Sequence, residues 1–581
     1  MRNGKKFTMG FLPSLLILVA MLVVACGGGG GGTLNVTPTA AAKAPASQQV
    51  FRMALPVPDL GTFDPAQVSS LYDSQAISAV FTGLVQLNNK LEVTPQLAST
   101  WSPSSDNLTW TFNLKQNLKF SDGTSLTSAD VVYSIDRALS PQISSLNGVS
   151  LTYLGLVKDS EKRVNGKIPT LIGDSLLTPD ANTVVIKLNQ PAGYFLQALT
   201  YPTSWVVEKK VIQQWGLKWT DHLADNGGQG GAGPFIVTSY DHTKGITYAP
   251  NPNYYGSKPQ LTTLNYVFIK EVKTTYEAYQ AGQIDDTGSE GVPAANYDQA
   301  KTSPGFVNTP TLSIGYYTMN YLVKPFDNIH IRQAFSMAIN RDVIVQAIYK
   351  GLYVPTCHIV PQGMPGFNSN LTCPGGVSTA GDATKAKQLF QQGLQEEGMT
   401  LATFPAVTIT YASGSTARDN QITTARQMWK TALGIDVKAS AIDFNQLVTQ
   451  VTNSTNNPKG LQMWAIGWIA DYPDPQDWTS LQFAKGSPNN NSNYGQNSSG
   501  AAPQQQQTQQ LLAQADVTAN APQRLQMYNQ AEQQLVNDVA WMSIFQQSTP
   551  RLVKTYVIGR TFNASDVVPP DAWTSVYIAA H

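Results

Sequence analysis

A chain of 581 residues is too long for a single hydrophobic core, so we expect two or three domains. Hydrophobic residues make up 42% of the chain, as in ordinary globular proteins, but charged residues make up only 13%, about half the usual share. Positive and negative residues balance at a formal net charge of zero and form no basic stripe, which argues against a nucleic-acid-binding surface.

The N-terminus has the pattern of an export signal. Three cations precede an apolar run that is too short to span a membrane comfortably: Arg2, Lys5 and Lys6, then residues 11–25. We therefore expect residues 1–25 to be a signal peptide, whose removal leaves a net charge of about −3. The run ends in Val23-Val24-Ala25-Cys26, which resembles the lipobox of bacterial lipoproteins, where the cysteine becomes the lipidated N-terminus. The alternative is an ordinary cleaved signal with a chance cysteine.

Residues 26–48 are rich in glycine, threonine, alanine and proline and have no hydrophobic period. This composition predicts a flexible tether. A lipid at Cys26 would use it to hold a folded body against a membrane, and two or three acyl chains anchor far better than one. We expect an exported protein that is lipid-anchored on the outer face of the cytoplasmic membrane, in the periplasm or at the cell surface.

The first half of the folded body is predicted to alternate strands and helices. Runs with a period of two predict strands at 51–55, 108–114 and 183–188, and a further strand is predicted at 235–237. A helix is predicted over about 73–81. Another helix is predicted to start at Thr127, because Thr127 and Asp130 have the spacing of a capping box.

The second half continues as mixed α/β. Apolar spacing predicts a helix over 331–347, and strands at 407–411 and 435–439 flank an amphipathic helix as one α/β unit. Residues 487–510 are rich in Asn, Gln and Gly and predict an exposed, poorly ordered loop. A helix over 524–536 and a strand over 541–545 follow.

The segment 461–478, LQMWAIGWIADYPDPQDW, carries the chemistry we consider most informative. Its length, aromatic residues and two prolines predict a buried strand that runs into a turn at Asp471. A carboxylate in such a place is costly unless it meets a cation, and Trp468 and Tyr472 offer broad apolar faces with a polar tip. An alternative is that Asp471 only caps a turn and the tryptophans belong to the core.

Two cysteines other than Cys26 are present, Cys357 and Cys373. In an oxidising compartment they could form a disulfide across a Pro/Gly-rich loop, which would add ~3 kcal/mol of stability. The sequence leaves open whether they do. They lack a second spaced pair of ligands for zinc, and we expect neither a metal nor a cofactor.

Several segments together resemble the solute-binding proteins of bacterial ABC importers, in the oligopeptide/dipeptide-binding group known as family 5. The matching stretches are 61–65 (GTFDP), 81–85 (FTGLV), 95–137, 233–235 (GPF), 251–256 (NPNYYG), 331–341 (IRQAFSMAINR), 467–475 and the tail from Arg551. The similarity extends from about Val50 to the C-terminus.

The resemblance implies an α/β fold of the periplasmic-binding-protein type: a two-lobed clamshell (class II type) with an additional third α/β domain. It places lobe I at 48–85, 195–269 and 546–581, the extra domain at 86–194, and lobe II at 270–545. It implies a monomer that binds a short peptide and docks on an ABC permease/ATPase complex. Interleaved segments of this kind explain why strands and helices do not sort into consecutive domains.

The resemblance also implies a binding site. In peptide-binding members the aspartate of a Gly-Trp-x-x-Asp pattern pairs with the ligand's ammonium group, and here that aspartate is Asp471. Backbone of the preceding strand, with Gly467 allowing close approach, would add the peptide as an extra strand. The expected ligand-binding residues are Asp471, Trp468, Gly467, Tyr472 and Ile469, with Ser69 and Leu71 contributing from lobe I.

Other functions stay open. The same fold could bind a nickel chelate, a sugar or an opine, or act as a sensor. An exported lipid-anchored hydrolase is a second alternative, because residues 173–176 (GDSL) and 327–330 (DNIH) resemble the two motifs of GDSL esterases. The positions of these two motifs in the chain do not match their positions in GDSL esterases, however. Asp286-Thr287-Gly288 matches the aspartic-protease triplet but has no second copy, so we expect no enzyme.

Overall fold

The structure is a computed structural model, and it describes residues 42–68, 70–147, 150–289 and 291–581. The predicted signal peptide, Cys26, most of the tether and Ser69 lie outside these residues. Within the described ranges, every helix is too short or too polar to cross a membrane.

The strands of the described chain are numbered in order. They are β1 (Val50–Leu55), β2 (Val85–Leu87), β3 (Val93–Pro95), β4 (Ala98–Pro103), β5 (Thr109–Leu114), β6 (Leu176–Asp180), β7 (Thr183–Lys187), β8 (Phe235–Asp241), β9 (Gly245–Pro250), β10 (Thr263–Phe268), β11 (Phe306–Met319), β12 (Val354–Pro355), β13 (Thr408–Ala412), β14 (Lys438–Ile442), β15 (Met463–Ile469), β16 (Met542–Leu552), β17 (Val557–Ile558) and β18 (Tyr577–Ile578).

The α-helices are numbered in the same way. They are α1 (Leu71–Ile77), α2 (Ser128–Ala138), α3 (Pro141–Asn147), α4 (Ser150–Leu154), α5 (Ser160–Val164), α6 (Phe195–Ala198), α7 (Lys209–Trp215), α8 (Val272–Gln280), α9 (Tyr297–Ala300), α10 (Ile329–Met337), α11 (Arg341–Tyr349), α12 (Ala383–Glu396), α13 (Thr416–Leu433), α14 (Phe444–Thr452), α15 (Pro475–Trp478), α16 (Ser480–Phe483), α17 (Ala502–Val517) and α18 (Ala521–Asn537). Short 3-10 turns lie at Ala46–Gln48, Pro65–Gln67, Pro202–Ser204, Gly216–His222, Asp225–Gly227, Ala294–Asn296, Pro374–Gly376 and Pro570–Ser575.

Three larger sheets organise the chain. The first has the order β1-β10-β9-β8, and its core takes Phe51, Tyr248 and Trp573 from three distant stretches of sequence. The second, β4-β5-β7-β6, is antiparallel and packs on α2. The third is mixed and six-stranded, β12-β16-β11-β15-β13-β14. The chain therefore leaves the first core and returns to it at the C-terminus.

Local sequence signals explain several of these elements. Thr127 and Asp130 form the predicted capping box at the start of α2. The parallel pair β13 and β14 with α13 between them is the predicted α/β unit. Asp64, in the segment GTFDP, accepts hydrogen bonds from Arg137 of α2, at 2.9 Å for Nη1, and from Trp219. Burial alone would raise the pKa of Asp64, but the hydrogen bonds and charge of Arg137 lower it.

Several of the predicted elements differ from the structure. The helix expected over 73–81 is α1, which ends at Ile77, and the strand expected at 435–439 is β14, Lys438–Ile442. The helix expected over 331–347 is two helices, because Asn340 caps α11 by accepting a hydrogen bond from the Val343 N–H. The expected exposed, poorly ordered loop over 487–510 is wrong in part: residues 487–501 do form a loop, but several of its side chains are buried. Asn493 donates to Asn320 Oδ1 at 2.8 Å and to the Ser454 carbonyl at 2.9 Å, and α17 begins at Ala502. Buried amide side chains replace apolar packing there, so polar composition does not imply disorder.

A disulfide joins Cys357 and Cys373, with their Cα atoms 5.3 Å apart. Both cysteines are buried in the core that also holds Tyr528 and Trp541. The bond closes the loop that enters and leaves this core beside α18.

Candidate functional site

The first residues of strand β15 pair with a neighbouring strand on each side, whereas its last residues pair with a strand on one side. Met463 to Ala465 pair with β13 on one side and with β11 on the other. Residues 466–469 pair with β11 alone in the part of the chain that the structure describes. The predicted strand at this position is confirmed, and its last four residues leave one edge of the sheet free.

Hydrogen-bond alternation identifies the groups on that free edge. The Ala470 N–H donates to the Leu312 carbonyl of β11 at 3.0 Å. In an antiparallel pair every second residue bonds the partner strand, so Ala470 and Trp468 bond β11, while Gly467 and Ile469 point their backbone groups away from it. The side chain of Ile469 is 71% exposed. Two residues of the expected site thus offer backbone donors and acceptors to a new strand.

Gly467 lets β15 lie close to its neighbour. A Cβ atom at this position would sit 3.2 Å from the Ile314 carbonyl oxygen and 3.9 Å from the Gly315 Cα, both in β11. The contact is tighter than a side chain normally makes. Glycine at this position therefore fits the close packing of β15 on β11, while the close approach of a ligand backbone expected at Gly467 stays a prediction.

Trp468 and Tyr472 are held by the turn that follows. Trp468 is half-buried, and its Nε1 donates to Asp477 Oδ2 at 3.1 Å. Tyr472 is buried; its hydroxyl donates to Gln476 Oε1, and its ring lies parallel to Tyr194 with centroids 5.8 Å apart. Trp464 and Trp478 are core residues, whereas Trp468 stays at the rim.

The Asp471 carboxylate is half-buried and has no counter-ion within the residues that the structure covers. Its backbone N–H donates to Asp477 Oδ2 at 3.2 Å, but among the described residues its side chain makes no hydrogen bond and meets no cation. Burial raises the pKa of Asp471. The caps of the next turn come from Asp474 and Asp477 instead, which argues against the alternative that Asp471 is only a cap.

Three further carboxylates lie close behind this turn, and the sequence reasoning did not single them out. Asp474 pairs with Arg524 at 2.7 Å. Asp516 accepts hydrogen bonds from Ser480 and Tyr528, both at 2.6 Å, and burial raises its pKa to about 6. Asp477 is fully buried. No local sequence signal distinguishes Asp477, which stands between Gln476 and Trp478 in a segment that holds two other aspartates, Asp471 and Asp474.

Two stacked tyrosines lie within electrostatic range of Asp471. The rings of Tyr153 and Tyr201 are nearly parallel, at 7°, with centroids 3.4 Å apart. Burial is the main cause of the raised pKa of each phenol, and the charge of Asp471 contributes to both. The Tyr201 hydroxyl donates to the Val68 carbonyl at 3.2 Å, next to the segment expected to contribute from lobe I. Of that segment, Leu71 is half-buried at the start of α1.

The residues that matched esterase and aspartic-protease motifs make other contacts in the structure. Ser175 is fully buried and donates to Asp174, while the His330 ring bonds Glu396 at 2.8 Å, so serine and histidine do not meet. Asp286 is buried, accepts the Gly288 N–H at 2.8 Å and faces two arginines, Arg551 and Arg560. These contacts are structural. Two cavities, of 460 and 350 Å³, lie away from these residues. The first is beside Phe562 and the second is beside the disulfide.

Comparison with known proteins gives consistent matches. The family model described as "Bacterial extracellular solute-binding proteins, family 5 Middle" matches residues 92–490. The chain is 25% identical to the oligopeptide-binding protein OppA of Bacillus subtilis, over 83% of this chain and 84% of that protein. It is 26% identical to the periplasmic murein peptide-binding protein MppA of Escherichia coli, over 90% and 91%.

Two further comparisons bear on ligand and fold. The chain is 25% identical to the probable deoxycholate-binding periplasmic protein YgiS of Escherichia coli, over 94% of this chain and 98% of that protein. The solved structure of MppA in its unliganded open form has a TM-score of 0.79 at 24% identity, covering 94% of this chain and 99% of that one. The predicted two-lobed fold with a third α/β domain is confirmed, while its residue boundaries stay a prediction.

Proposed function

Because the chain belongs to family 5 of the bacterial extracellular solute-binding proteins, we propose that it captures short peptides outside the cytoplasm and delivers them to an ABC importer. The observation that carries the proposal is the combination, within five residues, of an open strand edge at Gly467 and Ile469 and a carboxylate at Asp471 that meets no counter-ion in the described part of the chain. Both features suit one end of an extended peptide.

The strand edge supplies affinity without selecting side chains. A peptide that runs alongside residues 466–469 would exchange main-chain hydrogen bonds with Gly467 and Ile469, as strand addition does in other peptide-binding proteins. Specificity for sequence would then depend on the surrounding pockets. Trp468, Tyr472 and the side chain of Ile469 would line the first of these.

The carboxylate supplies the selection for a free amino terminus. An ammonium group that pairs with Asp471 would neutralise a half-buried charge that no cation of the described ranges contacts. Arg524, the one arginine of this region in the described chain, already pairs with Asp474 and leaves Asp471 without a cation. The ligand we propose is therefore cationic at the end that meets Asp471.

Closure of two lobes would complete the site. We propose lobe I at 48–85, 195–269 and 546–581, the extra domain at 86–194 and lobe II at 270–545, with Leu71 and Ser69 on the side that faces Asp471. A ligand that touches both lobes shifts the hinge equilibrium toward the closed form. The closed, loaded form would then dock on the membrane permease of an ABC permease/ATPase complex.

The remaining parts of the proposal concern location and assembly. The signal peptide and Cys26 favour export and lipid anchoring on the outer face of the cytoplasmic membrane. We propose a monomer that acts as a binding protein without enzymatic activity, metal or cofactor. The curated relatives reported above are all named as binding proteins.

A non-peptide ligand is the second candidate, because YgiS is named for a bile acid and matches the chain over nearly its whole length. The electrostatics favour the peptide. A bile acid carries a carboxylate, which the charge of Asp471 would repel, whereas a peptide's ammonium group would be attracted.

Mass spectrometry of small molecules released from purified, denatured protein tests the proposal most simply. We expect short peptides with free amino termini. Release of bile acids, sugars, opines or metal chelates in their place would contradict the peptide proposal while leaving the fold unaffected.

A further inference from the structure

Asp477 lies inside the protein, directly behind the turn that carries Asp471. It has 0% exposure, and its Oδ2 accepts the Asp471 N–H at 3.2 Å and the Trp468 Nε1–H at 3.1 Å. Its Oδ1 is also buried and has no hydrogen-bond partner within the described chain. The Asp477 carboxylate thus accepts hydrogen bonds from two residues of the proposed peptide site through Oδ2, while its Oδ1 has no hydrogen-bond partner among the described residues.

No cation compensates this carboxylate among the described residues. The charged groups of its own turn are Asp471 and Asp474, and Arg524 of α18 pairs with Asp474 rather than with Asp477. The titratable groups that face the turn from other elements are one carboxyl and four phenols: Asp516 of α17, Tyr528 of α18, Tyr153 of α4, Tyr194 and Tyr201.

The surroundings therefore favour an uncharged side chain at Asp477. Burial first, and then the negative charge of Asp471, raise its pKa well above the ordinary value. A buried carboxylic acid that lacks a counter-ion normally keeps its proton, because the ionised form is poorly solvated.

We propose that Asp477 carries the proton of this site: it is a carboxylic acid, protonated at Oδ1, in the ligand-free protein, and it releases that proton when a ligand's ammonium group pairs with Asp471. The inference rests on the proposed function. In the step, the O–H bond of Asp477 breaks, its electron pair stays on the carboxylate, and the proton passes to the buffer. The ligand keeps all its ammonium protons.

The physical reason is the burial of Asp477 together with the negative charge of Asp471 beside it. Without ligand, two ionised carboxylates so close together repel each other, so one of them holds a proton. An ammonium group beside them stabilises both ionised forms. Because binding releases a proton, affinity rises as pH rises through the titration of Asp477. It falls again above about pH 8, where a peptide's α-amino group loses its charge.

The test is isothermal titration calorimetry at about pH 6.5, where α-amino groups are still charged, in two buffers of different ionisation enthalpy. The probe is a short peptide with a free amino terminus. We expect the wild-type binding heat to depend on the buffer in the direction of proton release. Asp477→Asn keeps an acceptor for Trp468 and Asp471, so we expect affinity within about threefold of wild type but heats that no longer depend on the buffer.

Two variants distinguish proton release by Asp477 from a role in which Asp477 only positions its neighbours. Asp477→Ala removes both accepted hydrogen bonds, and we expect about tenfold weaker binding. Asp516→Asn is the matched control, because Asp516 also has a raised pKa but bonds Ser480 and Tyr528 instead of residues at the strand edge. Proton release must persist in this variant. Equal heats in both buffers for wild type, or proton release lost in Asp516→Asn and kept in Asp477→Asn, would overturn the inference.

Infrared spectroscopy of the ligand-free protein separates this inference from the proposed function. We expect the carbonyl band of a protonated carboxylic acid at neutral pH in wild type and its loss in Asp477→Asn. If that band is absent, Asp477 holds no proton and the inference fails, whatever the ligand. If the band is present and wild type binds no peptide, the proposed function fails and proton release on peptide binding fails with it, while the proton on Asp477 stands.

Discussion

Asp471 differs from the carboxylates around it because its side chain has no hydrogen-bond or ion-pair partner among the residues that the structure describes. Asp474 has Arg524, Asp516 has two hydroxyl donors, and Asp477 is bonded to the Asp471 backbone and the Trp468 ring. Burial of a half-exposed, unpaired acid costs free energy in the ligand-free protein. A ligand that supplies the missing cation recovers that cost, which makes Asp471 the residue where binding should be most sensitive.

Replacement of Asp471 by asparagine tests this at the residue scale. The change keeps the size of the side chain and removes its charge, so we expect peptide affinity to fall by more than about tenfold, ~1.4 kcal/mol or more. Fluorescence or calorimetric titration with one short peptide measures it. Asp516→Asn serves as the control. An unchanged dissociation constant for Asp471→Asn would remove Asp471 from the site.

Among the elements, the free edge of β15 is the one that we propose to bind the peptide, through main-chain hydrogen bonds rather than side chains. The pairing of β13 with β15 ends at Ala465, and the chain that follows β13 enters α13, so within the described chain residues 466–469 have β11 as their one paired strand. An exposed strand edge is normally a risk for aggregation. Here it is short and is followed at once by a turn with two prolines, Pro473 and Pro475, which limits unintended pairing.

Substitution of Ile469 by proline tests the edge directly. Proline removes the N–H that points away from β11, so we expect peptide affinity to fall about fivefold to tenfold, the effect of one lost hydrogen bond. Ile469→Ala keeps the N–H and is the matched control. Thermal melts of both variants check the fold. Equal affinity for the proline and alanine variants would argue against strand addition at this position.

The disulfide gives a second prediction at this scale. It links residues separated by 16 positions within a buried core, so removal should lower the free energy of unfolding by about 3 kcal/mol. We expect denaturant unfolding of the Cys357→Ser/Cys373→Ser double variant to show this loss. The peptide affinity of the folded variant should be unchanged, because neither cysteine belongs to β15 or to the turn that follows it. A loss of affinity in folded protein would contradict this separation.

The elements also show what sequence can predict. Strong local signals, such as the capping box of α2 and the α/β unit of β13, α13 and β14, were predicted correctly because they depend on neighbouring residues. The ordered region after Ser487 was not, because its stability comes from buried amides such as Asn493 that bond distant parts of the chain. The role of Asp477 was hidden for the same reason, since burial of a carboxylate is a property of the folded chain.

At the scale of the whole molecule, the long pair β11 and β16 connects the parts that we propose to move. The two strands pair from Phe306 with Leu552 to Tyr317 with Met542, with irregular register between Pro310 and Ile314. The predicted lobe boundary at 545/546 falls within β16. We infer that bending at this irregular stretch accompanies closure, because a strand pair with broken register resists bending less than a regular one.

Small-angle scattering should detect that closure. We expect the radius of gyration to decrease when a saturating peptide is added to wild type, because a ligand that bridges the lobes favours the closed state. The radius of gyration of the Asp471→Asn variant should decrease much less at the same peptide concentration. That concentration is chosen below the dissociation constant of the variant. A radius that stays constant at saturation would contradict the clamshell mechanism, though peptide binding itself would remain.

The most direct test of the central claim compares one peptide with its N-acetylated form on wild-type protein. Acetylation removes the ammonium charge and leaves the backbone and side chains of the peptide intact. The account predicts that calorimetry gives at least about tenfold weaker binding for the acetylated peptide. Equal affinities for the two peptides would mean that Asp471 does not recognise the amino terminus.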